Sequence, residues 1–305
     1  MQIIIIFKLI GYNKKFRGGV MVKKVLSGVL AVAIGLVLLW IDRKEVFVIG
    51  VSLVSAMAVY EILGATKYIK NIALAVISVG FSAAIPFVLN YDIQFLNTRY
   101  VAFAFIIGLF VIMLFSHKKI KFAEFSLVAV VSLCIPFSLS SLIFIYEIIP
   151  PQHRTFFLLY TCVVTWVSDS GAYFAGTLFG KHKLAPSISP NKTWEGFAGG
   201  IAISAIFGIT LGLGYQWFAN NFNVDNSMQA VEVNVLFLGL MAVPCAMLGV
   251  LGDLSASILK RECSVKDFGK ILPGHGGFVD RFDSVLFSAP FAYLVFMQYV
   301  PITGG

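Results

Sequence analysis

The chain has 305 residues, of which 59 % are hydrophobic and 12 % charged, and its mean hydropathy is +0.90. A soluble domain carries about 25 % charged residues, so this composition excludes a water-soluble globular protein and points to repeated membrane crossings. The net charge of +8 fits the cytoplasmic loops of such a protein, no nucleic acid is expected as a partner, and the four cysteines form no C-x-x-C pair that would suggest zinc or a disulfide framework.

In chain order, "MQIIIIFKLI" is too short to span a bilayer, and residues 1–20 read as an N-terminal extension, with the true start left open between Met1 and Met21. The basic-then-apolar "MVKKVLSGVL" lacks a small-residue cleavage site downstream and reads as a retained helix. Nine apolar segments follow, over 25–41, 46–65, 72–90, 100–116, 125–149, 155–179, 196–219, 235–259 and 284–300. Each is near the roughly 20 residues that a membrane helix needs. The fifth is expected to be broken by Pro136 and is bounded by Pro150-Pro151. The predicted fold is an all-α polytopic bundle of about nine transmembrane helices. Residues 21–154 form a scaffold, and residues 155–305 form a working half with loops 180–195 and 260–283.

Lysine and arginine set the orientation. With the N-terminus inside, nineteen of the 23 basic residues lie on the inner side, and the loop 220–234 has none. The two polar loops then face the cytoplasm and the C-terminus lies on the opposite side of the cell membrane.

Two aspartates stand out inside apolar spans, where a carboxylate costs about 2.5–3.5 kcal/mol on insertion scales. They are Asp169 in "VTWVSDSGAYFAG" and Asp253 in "MLGVLGDLSASILKR". On a helix Asp253, Ser257, Lys260 and Arg261 share one side, running from a carboxylate to two cations. Lys266, Asp267 and the glycine-rich "PGHGG" follow, and glycines let backbone N–H groups approach an anion. Asp280 and Asp283 come next, at i and i+3 with Arg281 between them. Asp253, Asp280 and Asp283 are therefore expected to converge on a hard cation that also binds substrate phosphates.

The stretch "SASILKRECSVKDFGKILPGHGGFVDRFD", Ser255 to Asp283, closely resembles the signature of the phosphatidate cytidylyltransferases, or CDP-diacylglycerol synthases. A second block, "SDSGAYFAGTLFGKHKLAPSISPNKTWEG", is similar to the Ser-Pro-x-Lys-Thr-x-Glu-Gly element of the same family. The likeness is specific over about residues 160–290. It implies the reaction CTP + phosphatidate → CDP-diacylglycerol + pyrophosphate, with CTP and bilayer phosphatidate as partners. A homodimer is left open. Mg2+ is the implied cofactor, with Mn2+ as a substitute and a second cation, divalent or K+, also left open. Under this resemblance Asp253, Asp280 and Asp283 bind metal, and Lys260 and Arg261 act catalytically on phosphates. Ser257, Lys266, Asp267, His275, Gly276, Gly277 and Arg281 contact substrate. Lys192, Thr193 and Glu195 form an opposite wall, with Asp169 deep in the cavity. A transporter also uses intramembrane carboxylates, but no inverted repeat is visible. A CDP-alcohol phosphotransferase would carry a DGxxAR-type motif, which is not found.

Overall fold

The computed structural model describes residues 41–67, 71–91, 97–118, 121–222, 230–269 and 277–303. The extension 1–20, Met21 and nearly all of the first expected span lie outside the described residues, as do Lys270, His275 and Gly276.

The described chain forms helices α1 (Lys44–Ala65), α2 (Ile72–Asn90), α3 (Thr98–Ser116), α4 (Phe122–Ile148) and α5 (Arg154–Phe179). A hairpin of β1 (Lys183–Ala185) and β2 (Ser189–Thr193) leads to α6 (Trp194–Asn221). Then come β3 (Glu232–Val233), α7 (Val235–Glu262), the single turn α8 (Val279–Phe282), α9 (Val285–Gln298) and β4 (Ile302–Thr303). Six of these helices are long and apolar enough to cross a membrane: α1, α2, α3, α4, α6 and α7. Helix α5 has 26 residues but carries the polar run Ser168-Asp169-Ser170. Helix α9 has only 14 residues, about 21 Å of rise. Asp283 and Ser284 keep helical dihedrals, however, so α8 and α9 lie on one helical track.

Local chemistry explains the starts. Asn71 accepts from Leu74 N–H at 3.1 Å, Asn97 from Arg99 N–H at 3.0 Å, Thr193 from Gly196 N–H at 3.1 Å and Asn234 from Phe237 N–H at 3.0 Å. The expectation of a break at Pro136 is not met. Helix α4 runs through it, as α2, α7 and α9 run through Pro86, Pro244 and Pro290. Lipid offers no water to compete for the backbone, so a missing N–H does not end the helix. The two short ribbons, β1–β2 and β3–β4, are additions to an otherwise helical fold.

Helices α1, α2 and α4 pack together with α3 at their edge, where only Phe105 and Leu109 are buried. Helices α5, α6 and α7 form a second group, and α9 joins the two by packing on α4, α5 and α7. Lipid tails are as apolar as leucine, so close backbone approach holds membrane helices together. Gly196 and Gly200 of α6 provide it, since a Cβ on either would stand 2.7 Å from Ala172 O or Ser168 O of α5. Ser204 adds a hydrogen bond to Val164 O at 3.1 Å. Gly200→Val should therefore cost about 1–3 kcal/mol by forcing α5 and α6 apart, read as a lower Tm in detergent. An unchanged Tm would contradict this packing.

Candidate active site

The C-terminal ends of α1, α5 and α7, the β1–β2 hairpin and the track into α9 meet at one end of the bundle. Asp253 lies nine residues before the end of α7, about 13 Å below it, and Asp169 lies about 15 Å below the end of α5. Lys192, on β2, reaches down to Asp253, with its Nζ 2.6 Å from Oδ2. Ser257, one turn further along α7, places Oγ 3.5 Å from Asp253 Oδ1. Gly252 permits the other approach, because any Cβ there would strike the carbonyl oxygen of Asp283. Asp253 is thus held beside Asp283, and its charge acts on both Asp283 and Asp169.

Ser284 ties this group together. Its hydroxyl donates to Asp169 Oδ2 at 2.8 Å, and its N–H donates to Asp283 Oδ1 at 2.8 Å. Ser284 has no signal in the sequence, because a serine beside an aspartate gains meaning only when a third residue from another helix meets it.

The three expected metal aspartates do not share one environment. Asp280 Oδ2 accepts from Phe268 N–H at 3.1 Å and Gly277 N–H at 2.9 Å, and Oδ1 accepts from Lys260 Nζ at 3.0 Å. Its carboxylate is thus occupied in closing the neck of the segment between residues 268 and 277. Lys260 is spent on that clamp and also stands 5.4 Å from the Phe268 ring centroid. Among the described residues no three acidic, His or Cys side chains form a preformed metal cage.

The remaining expected residues divide similarly. Thr193 is buried as the N-cap of α6. Glu195 accepts from Lys181 N–H at 3.1 Å and lies 2.6 Å from His182 Nδ1, pinning the start of the hairpin to α6. Arg261 Nε donates to Ile188 O at 3.3 Å, tying α7 to the hairpin turn. Lys266 and Asp267 are exposed on the loop. Arg281 accepts from Trp166 Nε1 through its carbonyl at 3.0 Å. Gly277 contributes its N–H to Asp280.

The donor set around Asp253 is all oxygen: Asp169, Asp253 and Asp283, with the Ser257 hydroxyl nearby. That chemistry fits a hard divalent cation, which needs only one or two protein carboxylates when phosphates supply other ligands. The ammonium of Lys192 already supplies positive charge at this place. The fit is therefore one of donor type and charge.

A sequence model of the cytidylyltransferase family matches residues 22–299. The phosphatidate cytidylyltransferase of Bacillus subtilis (strain 168) is 35 % identical over 280 residues, covering 90 % of this chain and 97 % of that protein. The enzyme of the same name from Haemophilus influenzae is 43 % identical over 141 residues, 46 % of each chain. That of Staphylococcus haemolyticus is 44 % identical over 142 residues, 47 % of this chain and 49 % of the other. A multi-pass helical membrane protein with acidic and basic side chains gathered at one end is the class defined by fold and site. Within it, the chain belongs to the cytidylyltransferase family.

Asp283 lies in the connection between α8 and α9. Burial first, and the neighbouring charge of Asp253 second, push its carboxyl up to about 7. An unfolded aspartate releases its proton near pH 3.9, roughly. Between about pH 4 and 7 the folded chain therefore binds the extra proton, and this group's contribution to stability falls as pH rises. In EDTA, the Tm of wild type minus that of Asp283→Asn should decline between about pH 5 and pH 8, and divalent metal should reverse the decline. A difference that grows with pH in EDTA would contradict the assignment.

Proposed function

We propose that the protein transfers the cytidylyl group of CTP to phosphatidate, giving CDP-diacylglycerol and pyrophosphate. The observation that carries the reading is the coupled set Asp253, Asp283 and Asp169, compensated by Lys192, in a chain of the cytidylyltransferase family. The B. subtilis relative, matched along nearly its whole length, carries the name of that activity.

The lipid phosphate oxygen forms a bond to the α-phosphorus of CTP, and the bond from that phosphorus to the β-phosphate bridging oxygen breaks. Pyrophosphate leaves with the electron pair. The nucleophile is already an anion at neutral pH, so no general base is required, and the task is to align two anions and neutralise them. Asp253 and Asp283 would hold Mg2+, with Asp169 behind them. Bound there, the ion would neutralise phosphate charge during an in-line displacement. Lys192 offers its ammonium to a phosphate when the Asp253 charge is met by metal. Arg261, Lys266 and Arg281 present further cations on the same end of the bundle. Asp280 and Lys260 tie Phe268 and Gly277 to the end of α7 and act on substrate through them.

The same end of the bundle faces the cytoplasm in this reading, supported by the excess of lysine and arginine in its loops. In a protein whose native cysteines have been replaced, a cysteine at Lys266 should label from inside and one at Glu232 from outside. The reverse pattern would overturn the orientation.

The activity test is incorporation of radiolabelled CTP into chloroform-soluble product by purified protein with phosphatidate. EDTA should stop it. Asp253→Asn and Asp283→Asn should each lower turnover by more than about a hundredfold, and the double variant should fall little further. Asp280→Asn, altering a supporting clamp, should cost less, about tenfold. Absence of labelled lipid from wild type would reject the function. An Asp280 loss equal to the other two would restore Asp280 to the metal site.

A further inference from the structure

Glu61 lies on α1, in the half of the chain that otherwise supplies apolar walls. It is only 3 % exposed. Its Oε2 accepts from Val279 N–H at 3.0 Å across 218 residues of sequence. Val279 opens α8, and its carbonyl in turn accepts from Asp283 N–H at 2.9 Å. Val279 N–H is one of the donors that a helix start leaves without an internal partner. Glu61 therefore caps the turn that carries Asp283.

Two glycines confirm how closely the carboxylate is fitted. A Cβ on Gly277 would stand 2.8 Å from Glu61 Oε2, and a Cβ on Gly269 would strike Oε1. Side chains at either position would drive the loop off Glu61. Asp280 closes the same neck from the other side by accepting from Phe268 and Gly277 N–H. Phe278, the residue before Val279, also directs its backbone N–H at the Glu61 carboxylate. A buried carboxylate is costly even so, and a plain core position would be filled more stably by leucine.

We infer that Glu61 is a positioning residue for the reaction, setting through Val279 the place of Asp283 beside Asp253. The inference rests on the reading of Asp253 and Asp283 as metal ligands. The site is then built from both halves of the chain, since α1 aligns a turn whose acidic residue faces α7. What the role requires is an acceptor oxygen at the right reach, not a negative charge as such.

Glu61→Gln keeps the reach and one acceptor oxygen, whereas Glu61→Asp keeps the charge and withdraws it by one methylene. Each purified full-length variant would be assayed for Mn2+ binding by paramagnetic resonance without CTP, for the Mg2+ requirement of turnover, and for Tm. The expected result is Glu61→Gln within about threefold of wild type in both metal readouts. Glu61→Asp should need about tenfold more metal, the worth of one charge-assisted hydrogen bond. The pair also separates positioning from general stability, because Glu61→Asp should lose metal affinity at a Tm where the protein is fully folded. Glu61→Asp with wild-type metal affinity would overturn the inference, as would Glu61→Gln weaker than Glu61→Asp. Should wild type bind Mn2+ but make no CDP-diacylglycerol, the proposed function fails while the metal readout still decides the role of Glu61.

Discussion

A carboxylate placed about 13 Å inside a helical bundle must meet a positive charge, and Asp253 meets Lys192 at 2.6 Å. Much of this end of the molecule is organised around that contact. Lys192 can reach Asp253 because the β1–β2 hairpin folds down over the bundle, and the hairpin is held there by Glu195 below and Arg261 beside it. The hairpin in turn is anchored on α6, which lies against α5 through glycines. The cost of burying one acid is thus spread over a small tertiary framework, which also fixes where substrate phosphates can stand.

The acidic residues at this end have two kinds of work. Asp280 and Glu61 bind backbone N–H groups and shape the chain, and their oxygens are directed at Phe268, Gly277 and Val279. Asp253 and Asp283 accept few such bonds and stand on neighbouring helices brought close at Gly252, where Asp283 also feels the charge of Asp169. Repulsion among the second group is what a cation relieves. Lys192 relieves part of it in the protein alone, and a divalent ion with nucleotide phosphates would relieve the rest.

Six of the nine expected spans fall on described helices long and apolar enough to cross a membrane, and they were legible because lipid imposes a length and a composition. The segment read as 72–90 is helix over Ile72–Asn90, and 235–259 lies within Val235–Glu262. The Pro136 break failed because a helix-breaking rule drawn from water overstates proline in lipid. The importance of Asp169, Asp253 and Lys192 was legible from burial cost and pattern. The different partners of Asp280 and Asp283 were not, since an i, i+3 spacing places two side chains on one helical face without saying that Asp280 meets the Phe268 and Gly277 amides while Asp283 meets Ser284. Glu61 was invisible for a different reason: one acid near the end of an apolar helix looks like an interfacial residue until the partner 218 positions away is known.

In the proposed arrangement Asp253 and Asp283 hold the cation while Asp280 holds the Phe268 and Gly277 amides. The most direct measurement is an experimental structure with Mn2+ and a non-hydrolysable CTP analogue, locating the ion by its anomalous scattering. The peak is expected between Asp253 and Asp283, with Lys192 moved from Asp253 toward a phosphate and Asp280 still accepting from Phe268 and Gly277. A peak ligated by Asp280, with its backbone contacts broken, would contradict it.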